Sequence, residues 1–329
     1  MSTQVEWRGR AWRARAIGWA ERSLAERNVE IEGRPEQFHI RPWSTVIRLP
    51  TNRGAVFFKA IWPPEKREAA ITEALARWQP KDVAVILAAD RTRGWLLLDD
   101  AGEKLRTIIK KDTDIRRWRT VLPQYAELQL AVAKHTNQLL ELGAPDRRAA
   151  SLAIQYERLL KDRHLFLIGV KGGLTESQYR KLVDFVPQVR EWSAYVSGTV
   201  PDTIQHDDLH DGQVFVKDGR YRILDWGDTV VSHPFYSLTV ALRSIAHTFK
   251  LKDDALELRR LTDLYLEPFT AVATKNQLLQ NYAIAKRLGR ICRALTWASV
   301  VVNLPPAERK KERDAVPGWL ALFLEAATS

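Results

Sequence analysis

The stretch "QVFVKDGRYRIL", Gln213 to Leu224, constrains this chain more than any other. Two runs of strand-forming residues flank Asp218 and Gly219, a dipeptide that closes two-residue hairpins because it tolerates positive φ at both central positions. A hairpin centred there sets Gln213 opposite Leu224 and Asp225 beside Gly212, with Asp208 on the tight loop leading in. Asp207, Asp208, Asp211, Asp218 and Asp225 crowd into this one segment. Gathered carboxylates repel one another and desolvate poorly, so a fold that collects them supplies a counter-ion. Asp208, Gln213 and Asp225 come to one end of the hairpin and offer oxygen ligands that suit a hard cation such as Mg2+.

The periodicity around the hairpin divides the chain in two. "EWRGRAWRARAIGWAERSLAERN" predicts an amphipathic helix over about residues 5–28, with Trp12, Ile17 and Leu24 facing inward. Its glutamates Glu6, Glu21 and Glu26 argue against a transit peptide. Alternating runs then predict antiparallel strands near 37–41, 45–49 and 55–61. "PPEKREAAITEALARWQP" predicts a helix bounded by prolines, and "VAVILAAD" and "GWLLLDD" two further strands joined by the turn "RTRG". Five strands with one inserted helix make a small α+β lobe over residues 1–98. Residues 99–329 read as a larger, mostly helical lobe that carries the hairpin, with the boundary at "DDAGE". Helices are expected over about 115–143 with a break or kink at Pro123, and over 149–164, 174–196, 235–249, 254–273 and 276–303.

Charge and composition exclude several classes. The net charge of +11 raises a nucleic-acid partner, but the excess is spread as +4 over residues 1–100 and +7 over the rest, with no basic arm. "ERKKERD" alternates sign and reads as a solvated helix face, so no nucleic-acid partner is expected. No apolar run is long enough to span a membrane, so no membrane partner is expected either. The single cysteine, Cys292, excludes a disulfide framework and fits a cytoplasmic protein.

"HDDLHDGQVFV" followed by "ILDWGD" resembles the catalytic region of the aminoglycoside phosphotransferase-like family, small-molecule kinases with the fold of the protein kinases. His206, Asp208, Leu209, His210, Gly212 and Asp225 match the family's loop and metal-binding positions. The resemblance implies a two-lobed α+β fold and transfer of the γ-phosphoryl group of ATP or GTP to a hydroxyl of a small molecule, with Mg2+ as cofactor. Asp208 would act as base or orienter for the acceptor hydroxyl, and Asp225 and Gln213 would hold the metal. His206 would support the loop by hydrogen bonds, and His210 would pack the loop or face the substrate. Lys59, ending the strand "AVFFKA", would contact the donor phosphates with Glu68 as its ion-pair partner. Leu98, Asp99 and Asp100 resemble the hinge whose backbone meets the purine.

The chain departs from the family pattern at several positions. Gln213 stands where the family has asparagine, Asp207 replaces a glycine, and His233 and Ser237 fall where aspartates are common. A glycine-rich phosphate loop is absent, and "RPWSTVI" offers Ser44 and Thr45 in its place. Two other readings follow from the residues: a nucleotide-binding relative that has lost its chemistry, suggested by Gln213, and a metal hydrolase, suggested by the four-residue spacing of the histidines in "HDDLH". The basic second lobe argues for a neutral or acidic hydroxyl acceptor over a polycationic aminoglycoside.

Overall fold

The computed structural model describes residues 6–328, so the first residue of the predicted N-terminal helix lies outside the described part. The chain forms two compact units: one comprises residues up to Ile108 together with Gly212–Gly227, the other Ile109–Asp211 and Asp228 onward. This differs from the boundary at 99–103 read from sequence, and places the hairpin with the first unit.

The first unit is built on five antiparallel strands, β1 (Glu36–Ile40), β2 (Ser44–Thr51), β3 (Gly54–Ile61), β4 (Ile86–Asp90) and β5 (Trp95–Asp99), in the order β1-β2-β3-β5-β4. The helix α1 (Arg10–Ala25) buries Ala16, Ala20 and Leu24, and α2 (Arg67–Trp78) follows β3. Trp12 and Trp19 from α1 meet Phe58 of β3 and Trp95 of β5 edge to face, with ring centroids 5.7 to 6.5 Å apart. Indoles bury large apolar area, so this cluster anchors the helix to the sheet more firmly than its small buried residues could.

The hairpin strands Val214–Lys217 and Arg220–Ile223 pair in the register the turn dictates, Val214 with Ile223 and Lys217 with Arg220. Asp218 and Gly219 both have positive φ, 52° and 72°. The Leu224 N–H donates to the Gln213 carbonyl at 2.9 Å, which extends the pairing to the predicted end. Two backbone contacts help to hold the hairpin in the first unit. Glu103–Lys104 adds an antiparallel strand beside Val214–Lys217, and the Ile223 N–H donates to the Asp82 carbonyl at 2.8 Å. Neither contact has a periodicity signal, because each involves two residues or fewer.

Gly102 lets that edge strand approach. Its φ is +92°, and a Cβ there would fall 2.1 Å from the Val216 carbonyl oxygen. Backbone cannot yield to such an overlap as a flexible side chain can, and left-handed geometry adds strain for any L residue. Gly102→Ala should therefore destabilise the first unit by about 3 kcal/mol or more, read as a midpoint drop of about 5 °C or more in thermal unfolding. An unchanged midpoint would show that the edge strand contributes nothing.

In the second unit, Thr203–Gln205 pairs antiparallel with Val230–Ser232, and Asp146–Arg147 pairs parallel on the other side. Gln205 and Val230 are partners, so the chain is pinned side by side where it leaves this unit and where it returns. The long helix Lys275–Asn303 starts from a capping box of Thr274 and Gln277. Gly289 lets it pass against Tyr236 and Thr239, where a Cβ would stand 3.2 Å from the Tyr236 Cα.

The helix expected over 174–196 is two, Glu176–Asp184 and Val186–Val196. Pro187 has no N–H to continue the hydrogen-bond ladder. Trp118–Val132, by contrast, runs through Pro123, gives way to a 3-10 turn at Ala133–His135, and resumes as Thr136–Glu141. "ERKKERD" lies on and just beyond the helix Pro306–Glu312, which buries none of its residues. Among the described residues no helix is long and apolar enough to cross a membrane.

Candidate active site

The first unit assembles a buried cation between two carboxylates. Lys59 is on β3, where paired strands on both sides leave its side chain 9% exposed. Its Nζ lies 2.5 Å from Glu68 Oε1 on α2 and 2.5 Å from Asp225 Oδ1 at the end of the hairpin. Glu73, the other acid on α2, pairs instead with Arg91. Burial opposes the Lys59 charge, but Asp225 and Glu68 outweigh it and raise the ammonium above the ordinary lysine range.

Asp225 sits at φ +67° with its side chain 47% exposed, so its carboxylate faces solvent as well as Lys59. Gly227 follows two residues later, where a Cβ would stand 3.0 Å from Glu68 Oε2. Glycine there lets the chain pass close over the ion pair. Gln213, at the other side of the hairpin base, is half-buried. A carboxylate and a side-chain amide oxygen at one hairpin end fit a hard cation that takes its remaining ligands from water and phosphate.

Ser44 and Thr45 occupy the start of β2 rather than a loop. The Thr45 hydroxyl donates to the His39 carbonyl at 2.7 Å and accepts from Gln37 at 2.8 Å. That hydroxyl is used inside the sheet, and Ser44 is buried beside it. Of the hinge residues, Leu98 and Asp99 end β5 and Asp100 follows. The Asp99 N–H donates to the Val85 carbonyl, and the Asp100 carbonyl accepts from Lys217 at 3.0 Å.

The second unit holds the loop that carries Asp208. Buried His206 sends its backbone N–H to the Tyr125 hydroxyl at 2.9 Å, and its Nδ1 accepts the Asp208 N–H at 3.3 Å. Asp207 takes φ +61°, the left-handed region, in the position read from sequence as a glycine replacement. Aspartate tolerates that geometry better than most residues. His210 Nε2 lies 3.5 Å from Asp208 Oδ2 and its Nδ1 3.8 Å from Asp211. Both histidines of "HDDLH" thus meet groups of their own loop. Among the described residues, no three His, Cys, Asp or Glu side chains are grouped to hold a metal. His233 is buried, its Nδ1 accepts the Phe235 N–H, and burial pushes its ring down to about 3. Ser237 lies 3.0 Å from the Tyr125 hydroxyl.

Sequence reading missed Arg293. This side chain reaches from the long helix, 5% exposed, and donates to Asp228 Oδ2 at 2.5 Å and to Asp208 Oδ1 at 2.8 Å, with Asp207 Oδ2 at 3.5 Å. Burial and the repulsion of Asp228 and Asp208, only partly offset by Arg293 and Thr296, push Asp207 up to about 7. Burial acts the same way on Asp208, but Arg293 and His210 overcome it and hold that carboxyl down at about 2. No motif could have exposed this, since "GRICRAL" reads as an ordinary helix.

Comparison with known proteins gives the kinship of the chain and its fold. The profile of the phosphotransferase enzyme family (APH) matches residues 66–273, more than half of the chain. No curated protein matches in sequence. The solved structure of the GDP complex of an aminoglycoside 2′-phosphotransferase-IIIa mutant superposes with a TM-score of 0.60 at 12% identity, covering 95% of this chain and 97% of that one. Choline kinase LicA from Streptococcus pneumoniae gives 0.59 at 12% identity over 95% and 99%. Macrolide 2′-phosphotransferase type I gives 0.57 at 11% identity over 92% and 96%. At these identities the superpositions show the fold, that of the protein kinases, while the profile shows the kinship: the chain belongs to the phosphotransferase enzyme family.

Proposed function

We propose that this phosphotransferase moves the γ-phosphoryl group of ATP or GTP to a hydroxyl of a small molecule. The observation that carries the reading is the Lys59 ammonium held 2.5 Å from both Glu68 and Asp225. Such a cation binds donor phosphates as a fixed charge, with Glu68 orienting it. Asp225 and Gln213 would hold Mg2+, which when bound neutralises charge on the phosphate oxygens. Asp208 accepts a hydrogen bond from the acceptor hydroxyl and orients its oxygen toward phosphorus. Its low basicity suits that work, because a loose transition state needs the proton only late. The acceptor is a neutral or acidic hydroxyl compound, in keeping with the basic second part of the chain.

Thermal unfolding tests this directly. At a nucleotide concentration about 100 times Kd, ATP or GTP with Mg2+ should stabilise the protein by about 2.7 kcal/mol, a midpoint rise of several degrees. EDTA should abolish most of the shift. A shift with Zn2+ alone and none with nucleotide would overturn the reading.

A further inference from the structure

We infer that Arg293 is the positioning residue of Asp208: its buried guanidinium fixes which way the loop carboxylate faces while supplying the charge that three neighbouring aspartates lack. This rests on the reading of Asp208 as the group that addresses the acceptor hydroxyl.

The argument starts from shape. A guanidinium is a rigid planar fork, and one anchored at two nitrogens has little rotational freedom left. Arg293 spends one terminal nitrogen on Asp228 and the other on Asp208, at 2.5 and 2.8 Å. Only Thr229 separates Asp228 from the Val230–Ser232 strand, which is itself paired with Thr203–Gln205. The fork therefore references Asp208 to the strand pair on which its own loop begins. The guanidinium also lies over the ring of Trp297, one turn along the helix, with its carbon 5.5 Å from the ring centroid.

Charge balance points the same way. Asp207, Asp208 and Asp228 surround a single arginine; His206, His210, Thr296, Gln205, Tyr125 and Cys292 also face Asp208 or Asp207. Asp207 is 1% exposed and its Oδ1 accepts from Gln205 at 2.6 Å, so it is the carboxyl least able to keep a charge. Arg293 makes its two short hydrogen bonds to Asp208 and Asp228, the two carboxylates that remain partly open at 28% and 25%. A purely structural tie between helix and loop would need no second carboxylate. It would also gain little, since buried ion pairs contribute weakly to stability compared with apolar packing. What a doubly anchored fork provides is orientation.

The test combines three readouts on the unaltered protein, Arg293→Lys and Arg293→Gln. Isothermal titration gives Mg-nucleotide affinity, release of the nucleoside diphosphate gives turnover with Asp208→Asn as the blank, and 13C NMR of aspartate carboxyl carbons gives the Asp208 titration. In the unaltered protein the Asp208 carbon should keep its ionised shift down to about pH 3, below the ordinary carboxyl midpoint near 3.9. Arg293→Lys keeps the charge but loses the fork, so turnover should fall about tenfold or more with nucleotide affinity within about twofold. In Arg293→Gln the Asp208 midpoint should rise by about one pH unit or more as well. Unchanged turnover in Arg293→Lys with normal nucleotide binding overturns the inference alone. An ordinary Asp208 midpoint in the unaltered protein overturns it too, even if both variants fail to fold. Absence of nucleotide binding by the unaltered protein sinks the kinase reading and the inference together.

Discussion

Asp208→Asn should reduce phosphoryl transfer by about a thousandfold while leaving Mg-nucleotide affinity within about threefold. The two effects separate because Lys59, Glu68 and Asp225 all belong to the first unit and Asp208 to the second. Asparagine keeps the size of the side chain and can accept one hydrogen bond, but the anion is gone. Arg293 would then retain Asp228, 2.5 Å from its other terminal nitrogen. Turnover measured against a panel of candidate alcohols, with nucleotide binding measured separately by titration calorimetry, checks both halves. A loss of binding equal to the loss of turnover would mean that Asp208 belongs to the donor site, and the division of roles would be wrong.

The hairpin was the most legible part of this chain because its register follows from one turn. Asp218 and Gly219 adopt the positive φ values that the dipeptide allows, and every pair down to Gln213 and Leu224 follows. Lys59 and Glu68 were legible for a similar reason, since a strand and the helix after it fix where each residue points. The partner of the Thr45 hydroxyl was not legible, because sequence shows a hydroxyl without the His39 carbonyl that it meets across a strand pair. The attachment of the hairpin to the first unit was invisible as well. It depends on Glu103–Lys104 and on one hydrogen bond from Ile223 to Asp82, contacts too short to leave a pattern. Arg293 lies 85 residues from Asp208 in sequence, and only tertiary packing joins them. Local chemistry is written locally; the counter-charges that tune it are not.

Lys59→Met should have the second large effect, and it separates stability from ligand binding. Removing one member of a buried ion pair costs about 3–5 kcal/mol, because the partner is left charged without compensation. Here the cost falls on Glu68, whose side chain is 4% exposed, and much less on Asp225, whose 47% exposure lets water screen it. A loss of about 2–3 kcal/mol in the first unit is therefore expected, with Mg-nucleotide affinity falling about a hundredfold. Destabilisation alone could explain weak binding, so the informative variant is Lys59→Met combined with Glu68→Gln. Neutralising Glu68 removes the stranded charge, and the double variant should regain most of the lost stability. It should not regain nucleotide affinity, since no cation has been restored to meet the phosphates. Thermal unfolding without ligand and calorimetric titration with Mg-nucleotide give the two quantities independently. If affinity returns along with stability, Lys59 only braces β3 against α2, and the donor phosphates are held by other groups.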